Sequence, residues 1–325
     1  MSVHSGDTLT LATLGGQSMG TTWSVRLALR PGADLHAFHA GIQRQLDLVV
    51  AQMSTWEADS DISRFRDASA GSWQLLPGEF SRVLDAALEV AGASDGAFDP
   101  TVGPLVELWG FGAGGHPRQV PHDAALAAAR ARCGWQRIQR RAGDGALYQP
   151  GDLQLDFSGI AKGFGVDLVT GYLQGIGIGA ALVEIGGELR GYGRKPDGEP
   201  WRVLVEAAED DAAGGSLPPR VLPLDGCAVA TSGDRWHRFE QEGERYSHSL
   251  DPRTGRPVRH AAASITVLAD DAMHADAWAT ALTVMGQEAG IAHARAHGLA
   301  ARFVGRHPDG LRELMTPAFE RRLAG

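Results

Sequence analysis

The chain has 325 residues, of which 43% are hydrophobic and 21% are charged, and its formal net charge is -9. A chain of this size can bury a large core, but an acidic protein lacks the basic face that general nucleic-acid binding requires. We therefore expect small molecules or proteins as partners, and no nucleic acid. The two cysteines, Cys133 and Cys227, exclude a disulfide framework, although a single bridge between them stays open.

The first residues, 1–7, contain no basic start, no apolar run and no cysteine for lipid attachment. As the sequence is written, this predicts a cytoplasmic protein. A periplasmic or lipid-anchored protein whose leader was removed is the alternative. No stretch of about twenty apolar residues occurs along the sequence, so no membrane span is expected.

Strands and helices alternate in the predicted order. Apolar residues alternate with polar ones at 23–29, which predicts a half-buried strand, and helical spacing follows at 34–53. Apolar periodicity predicts further helices at 80–93, 159–174, 271–285 and 288–297. Further strands are predicted at 180–186, 201–206, 220–224, 228–231, 246–250 and 264–269. The order indicates a mixed α/β (α+β) chain.

Two segments interrupt this order and are predicted to be exposed, mobile loop insertions. Residues 112–122 are rich in glycine and proline, and residues 209–219 are acidic and then rich in glycine, serine and proline. Neither segment has the length or bias of an interdomain linker, and no internal repeat is present. We therefore predict a single compact unit over residues 1–325 rather than two separable domains.

One segment, which reads YSHSLDPRTGRP from Tyr246, combines a histidine, an acid and an arginine with a rigid turn. Proline fixes its own φ and glycine tolerates a positive φ, so a strand is expected to end there in an ordered turn. Such a turn can hold His248 and Asp251 in place. The alternative is a turn whose polar side chains have no chemical role.

Two other segments favour the chemical interpretation. In the predicted helix at 271–285, Asp276 and Thr280 are four residues apart and share one face, which suits two oxygen ligands of a hard cation such as Mg²⁺. A solvated helix face is the alternative. In the segment DFSGIAKG, Gly159 permits a close approach of the backbone to a ligand. Lys162 adds a cation near the start of the following helix.

A series of motifs in this order resembles the ApbE family, the FAD:protein FMN transferases. The motifs are GQSMGTTW from Gly16, MSTW from Met53, DSDISRF from Asp59, GAFDPTVGPL from Gly96, LWGFG from Leu108, DFSGIAKG from Asp156, IGG from Ile185, ATSG from Ala230, and the His248 and Asp276 segments. The resemblance implies a single catalytic unit with central mixed sheets flanked by helices. It also implies transfer of FMN from FAD to a threonine or serine hydroxyl of a target flavoprotein, with a new phosphoester bond and release of AMP.

The resemblance implies catalytic and metal-binding roles for particular residues. His248 is the expected general base, because an imidazole is the usual base near neutral pH. Mg²⁺ is expected to bind the side chains of Asp276 and Thr280 and a backbone carbonyl near Gly159. Ala279 stands where some relatives have a second acid, which predicts weaker binding of free metal or a geometry that depends on the substrate phosphates.

The resemblance also implies an FAD site, formed by Met19, Trp56, Ala97, Phe98, Asp99, Asp156, Lys162 and Leu250. Trp56 offers an aromatic face for stacking where the family more often has a tyrosine, and Lys162 stands where some relatives have an acid. Two alternative functions stay open. One is a Mg²⁺-dependent FAD pyrophosphatase that gives FMN and AMP, and the other is a non-catalytic FAD-binding protein.

Overall fold

The structure is a computed structural model that describes residues 9–205, 217–233, 238–259, 264–307 and 310–324. The predictions made for residues 1–7 and 206, and for the larger part of the loop at 209–219, lie outside these residues. The loop at 112–122 forms neither helix nor strand, and most of its residues are exposed.

The helices and strands follow one another along the whole described chain. The helices are α1 (Leu35–Met53), α2 (Asp61–Arg66), α3 (Gly78–Ala93), α4 (Gly103–Leu108), α5 (Asp123–Arg130), α6 (Ala161–Gly175), α7 (Ala272–Met285), α8 (Gln287–Ala296) and α9 (Pro317–Ala324), with a short 3₁₀ turn at Trp135–Arg137. The strands are β1 (Thr10–Ser18), β2 (Thr21–Leu29), β3 (Ser72–Gln74), β4 (Leu147–Gln149), β5 (Ala181–Ile185), β6 (Glu188–Tyr192), β7 (Trp201–Val205), β8 (Arg220–Leu224), β9 (Cys227–Gly233), β10 (Arg238–Gln241), β11 (Glu244–Ser247), β12 (Leu250–Asp251), β13 (Arg256–Pro257), β14 (Ser264–Ala269), β15 (Ala300–His307) and β16 (Gly310–Met315).

A central sheet of eight strands organises the molecule, in the order β1-β2-β5-β6-β9-β14-β15-β16. Helices α1 and α6 cover one part of it, and α7 and α8 cover the part formed by β14 and β15. The mixed α+β class is thereby confirmed. One detail differs from the expectation of mixed sheets, because every strand pairing among the described residues is antiparallel. Neighbouring strands run in opposite directions and are joined by hairpins or by longer connections.

Helix α1 shows how closely a strong periodic pattern is followed. It begins after Asp34, whose carboxylate accepts hydrogen bonds from the N–H groups of His36 and Ala37 at 3.0 and 3.1 Å. This cap satisfies donors that the first turn leaves unpaired. The residues Ile42, Leu46 and Val49 then lie on one buried face, as their spacing predicts.

The prediction of one continuous strand at 246–250 was wrong. The structure divides it into β11, which ends at Ser247, and β12, which begins at Leu250. The Ser249 N–H donates to the Ser247 hydroxyl at 3.1 Å, and this local bond competes with strand pairing. His248 therefore lies in a bend between two short strands.

Helices α6 and α7 pack against each other so closely that glycine is required between them. A Cβ atom at Gly163 would lie 2.1 Å from the Ala272 carbonyl oxygen. Asp167 reinforces the contact, because its carboxylate accepts from the N–H groups of Ala272 and Met273 at 3.0 and 2.9 Å. Asp167 also pairs with Arg190 on β6 at 2.6 Å. The start of α7 is thus fixed against α6 and the sheet.

In the part of the chain that the structure describes, we find no helix with the length and apolar character needed to cross a membrane.

Two glycines of α6 provide a matched test of this packing. Gly163→Ala should lower the free energy of unfolding by about 1 to 3 kcal/mol, because the new methyl group meets the backbone of α7. In Gly171→Ala the new methyl group meets nothing within 4 Å. This variant should raise the free energy of unfolding by about 1 kcal/mol, because alanine has the higher helix propensity. Urea unfolding of both variants measures the difference, and equal effects would show that the two helices are not in tight contact.

Candidate active site

The turn between β1 and β2 places Met19 beside α6 in a strained backbone conformation. Ser18 pairs with Thr21, so Met19 and Gly20 form a two-residue turn with φ of 50° and 71°. Such a turn suits glycine or asparagine, and a methionine there is unusual. The Met19 methyl group lies 3.0 Å from the position of a Cβ at Gly165. Strain of this kind is frequent at functional sites.

A second hairpin, between β5 and β6, reaches the same place. Ile185 pairs with Glu188, and the intervening Gly186 and Gly187 have φ of 60° and 104°. A Cβ at Gly186 would lie 2.9 Å from the Thr21 methyl group and 3.4 Å from Lys162 Cδ. The two hairpins therefore meet at the lysine in the first turn of α6.

Buried charges gather around this lysine. Lys162 Nζ lies 2.5 Å from Glu188 Oε1, and the Glu188 side chain is 3% exposed. Asp276 is 5% exposed, and its Oδ2 accepts a hydrogen bond from the Gly163 N–H at 3.1 Å. Burial raises the pKa of both carboxyl groups, while the charge of Lys162 opposes that shift. Burial disfavours the charged form of Lys162, but Asp276 and Glu188 outweigh it and raise the pKa of the lysine.

Asp276 and Thr280 of α7 face Gly163 and Gly159, two glycines at the start of α6. The Gly163 N–H donates to Asp276 and not to the Gly159 carbonyl, so no described backbone N–H bonds that carbonyl. One turn away, a Cβ at Gly159 would lie 2.9 Å from Thr280 Oγ1. A carboxylate, a hydroxyl and a backbone carbonyl are ligand types that hard cations prefer. Within the described ranges, no three residues of the His, Cys, Asp or Glu types form a metal-binding group.

The loop before α4 is held to this site by Phe98. The Phe98 ring lies 3.2 Å from the Cβ position of Gly159, and Ala97 is buried at 1% exposure. The Asp99 carboxylate accepts from Thr101 N and Oγ1 at 2.8 and 2.6 Å and from the Trp135 N–H at 3.1 Å. Burial raises the pKa of Asp99. This carboxylate holds the loop together with its own hydrogen bonds.

Asp156 links the same loop to the segment that leads into α6. Its N–H donates to the Pro100 carbonyl at 2.8 Å, and its carboxylate accepts from the Ser158 N–H at 2.7 Å. The second bond closes a tight turn just before Gly159. Asp156 is 8% exposed, so it is almost fully buried at this junction.

The turn predicted after His248 is confirmed. Gly255 has a φ of 74°, and its N–H donates to the Asp251 carbonyl at 2.7 Å. The Trp109 indole N–H donates to the Gly255 carbonyl at 2.9 Å, which ties the turn to α4. The His248 ring lies 6.4 Å from the Phe111 ring in an edge-on arrangement.

Leu250 and Trp56 differ sharply in burial. Leu250 is 6% exposed and packs with Leu105, Trp109 and Leu126, and its strand β12 contacts α7. Trp56 is 69% exposed and therefore contributes little to the core. Its ring is available to a planar ligand.

The structure thus brings most of the predicted site residues into one connected region around the first turn of α6. Phe98 and Thr280 lie at Gly159, Asp276 accepts from the Gly163 N–H, and Met19 lies at Gly165. The charge of Asp276 also acts on Lys162. Ala97 joins this region through Val258, which directly follows β13, and through Val284 of α7. Trp56 has no described contact with these residues.

Glu188 and Asp167 are absent from the residues predicted to act at this site. Both contact the region, one through Lys162 and the other through the start of α7. Glu188 follows the Gly186 and Gly187 pair directly, and an acid after a tight glycine turn is the signal that could have identified it. Asp167 lies within a helix and carries no such signal.

Comparison with known proteins adds a second line of support. The sequence profile described as the ApbE family matches residues 19–303. A Vibrio cholerae protein named FAD:protein FMN transferase is 41% identical over 308 residues, which are 94% of this chain and 91% of the relative. A Klebsiella pneumoniae protein of the same name is 34% identical over 319 residues, covering 97% and 90% of the two chains.

Solved structures agree with these sequence relatives. The apo form of the Pseudomonas stutzeri flavinyl transferase ApbE superposes with a TM-score of 0.89 at 39% identity and covers 98% of both chains. The flavin transferase ApbE from Vibrio cholerae gives a TM-score of 0.88 at 39% identity, with 97% of this chain and 100% of the other covered. With the family profile matching most of its length and these relatives matching nearly all of it, the chain belongs to the ApbE family.

Proposed function

We propose that this protein is an enzyme that transfers FMN from FAD to a threonine or serine hydroxyl of a target flavoprotein and releases AMP. The observation that carries the proposal is that Asp276 and Thr280 face Gly163 and Gly159 beside Lys162 at the start of α6. An anionic pyrophosphate suits this place, because a helix N-terminus and an ammonium both favour negative charge. The relatives named FAD:protein FMN transferase support the reaction.

The residues of this region fit a magnesium ion. The Asp276 carboxylate, the Thr280 hydroxyl and the Gly159 carbonyl would hold it, since the carbonyl receives no described backbone hydrogen bond and the hydroxyl makes none to the described residues. When bound, the ion would supply positive charge to the phosphate oxygens. Few protein ligands leave room for water and substrate oxygens.

The protein's own groups account for the rest of the reaction. The His248 imidazole takes the proton of the acceptor hydroxyl, whose oxygen then forms a bond to the FMN phosphorus. The bond between that phosphorus and the bridging oxygen breaks, and AMP leaves with the oxygen. Lys162 neutralises charge on the phosphates. Trp56 offers a stacking face to the flavin or the adenine.

A single assay separates the transferase from the other two functions. The purified protein is incubated with FAD and Mg²⁺, with and without an acceptor flavoprotein domain, while AMP release and acceptor mass are followed together. A mass gain equal to FMN together with AMP is expected. AMP without a mass gain at several acceptors would favour the pyrophosphatase, and the absence of AMP would leave a FAD-binding protein.

His248→Ala should reduce the rate of FMN transfer by about 10²- to 10⁴-fold, the usual contribution of a general base. FAD binding should persist, because the imidazole acts on the acceptor hydroxyl. His116→Ala makes the same change in the exposed loop at 112–122 and serves as the control. Transfer rates come from acceptor mass spectra, and an unchanged rate in His248→Ala would refute the assignment of the base.

Asp276→Asn should abolish the response of turnover to Mg²⁺ and at the same time stabilise the metal-free protein by about 0.5 to 2 kcal/mol. The gain is expected because a buried charge is removed while the amide oxygen still accepts from the Gly163 N–H.

The matched control is Asp167→Asn, at a buried aspartate whose two oxygens each accept from an α7 N–H group and whose Oδ1 also pairs with Arg190. That variant should be less stable. Urea unfolding and Mg²⁺-dependent rates report both effects, and a retained metal response in Asp276→Asn would contradict the ligand assignment.

Trp56→Ala should weaken FAD binding by about 1 to 3 kcal/mol if the indole stacks on a ring of FAD. The free energy of unfolding should stay within about 0.5 kcal/mol, because the side chain is exposed. Trp73→Ala is the contrasting control, since Trp73 packs on Tyr148 and should affect stability instead. Isothermal titration with FAD decides, and an unaltered dissociation constant would exclude stacking at Trp56.

A further inference from the structure

Glu188 takes no part in the reaction above, yet it contacts the lysine assigned to the phosphates. Its side chain is 3% exposed, and Oε1 lies 2.5 Å from Lys162 Nζ. The other oxygen, Oε2, is buried and has no hydrogen-bond partner among the described residues. A buried carboxylate with an unsatisfied oxygen is costly, which indicates a role beyond packing.

Two buried carboxylates share one ammonium in this region. Asp276 is 5% exposed, and its charge acts on Lys162 together with that of Glu188. When both acids are ionised, one ammonium and two carboxylates leave a net negative charge, which favours a cation. The same arrangement creates a competition, because a lysine that closed onto Asp276 would occupy the oxygens that a cation needs.

The β5–β6 hairpin limits where the lysine can lie. Lys162 Cδ lies 3.4 Å from the Cβ position of Gly186, so its stem runs along the hairpin turn. Glu188 comes two residues later, at a position fixed by its pairing with Ile185. The carboxylate on β6 therefore holds the end of a side chain whose stem already follows that strand pair.

We propose that Glu188 is a positioning residue that anchors the Lys162 ammonium to β6, so that the lysine does not close onto Asp276. Asp276 thereby stays available to a divalent cation, and the ammonium stays beside the phosphate site. The inference rests on the proposed function, because it takes Asp276 as a ligand of that cation.

The first test measures binding of Mn²⁺ to the FAD-free protein by electron paramagnetic resonance. Glu188→Gln should weaken Mn²⁺ binding by about 10- to 100-fold, as loss of a supporting partner commonly does. The double variant Lys162→Met with Glu188→Gln should recover at least the wild-type affinity, because the competing ammonium is gone. Glu184→Gln changes a carboxylate on the neighbouring strand β5, hydrogen-bonded to Ser24, and should have no effect.

Failure of the double variant to recover binding would mean that Glu188 supports the shape of the site and not the position of the lysine. That result would overturn the proposal.

The second test needs no metal. The unfolding constants of Lys162→Met, Asp276→Asn and their double variant give the coupling between these two residues, first with Glu188 and then with Glu188→Gln. The coupling between Lys162 and Asp276, expressed as a ratio of unfolding constants, should be about tenfold larger in the Glu188→Gln background, where the lysine is no longer held. An equal coupling in both backgrounds would overturn the anchoring.

The two tests together separate the anchoring from the metal assignment. Absence of Mn²⁺ binding by the wild type, together with a coupling that grows, would refute the metal assignment alone and uphold the anchoring.

Discussion

The contact between α6 and α7 is the constraint on which the candidate site depends. Because Gly163 has no side chain, the α7 backbone approaches closely enough for the Gly163 N–H to reach Asp276. That hydrogen bond diverts the N–H from the Gly159 carbonyl, which is then free to bind something else. Gly159 repeats the arrangement one turn earlier, opposite Thr280. Two glycines one turn apart thus face two oxygen side chains one turn apart, and the pairing of the helices creates the proposed ligand set.

Electrostatics follows from the same packing. The contact buries Asp276, while β6 brings Glu188 to Lys162, so the pKa of each carboxyl group is raised by burial and the lysine keeps its charge. A second ion pair, between Asp167 and Arg190, joins the same helix to the same strand with the opposite polarity. Its carboxylate also caps α7. The Asp167–Arg190 pair therefore fixes the elements that carry the site, while Lys162, Glu188 and Asp276 provide the charges within it.

The sequence predicted the elements with strong periodicity and missed those that depend on distant partners. Helix α1 and strand β2 agree closely with their patterns because each buries one regular face. Strand β1 was not predicted, since it is an edge strand in which no residue is fully buried, and its pairing with β2 decides its conformation. The same limit applies to the site. Spacing alone predicted that Asp276 and Thr280 share a helix face, whereas the Glu188 contact with Lys162 spans 26 residues and requires the fold.

Several features of the site work against stability. Met19 occupies a positive φ where asparagine or glycine would be relaxed, and the Glu188 carboxylate has an oxygen without a described partner. Asp276 is a charge in a place where an apolar residue would pack. The extended cores beneath α3, α6 and the sheet can tolerate these costs. Since each departure lies at the first turn of α6, a chain selected for folding alone would have no reason to collect them there, and binding of a charged ligand supplies that reason.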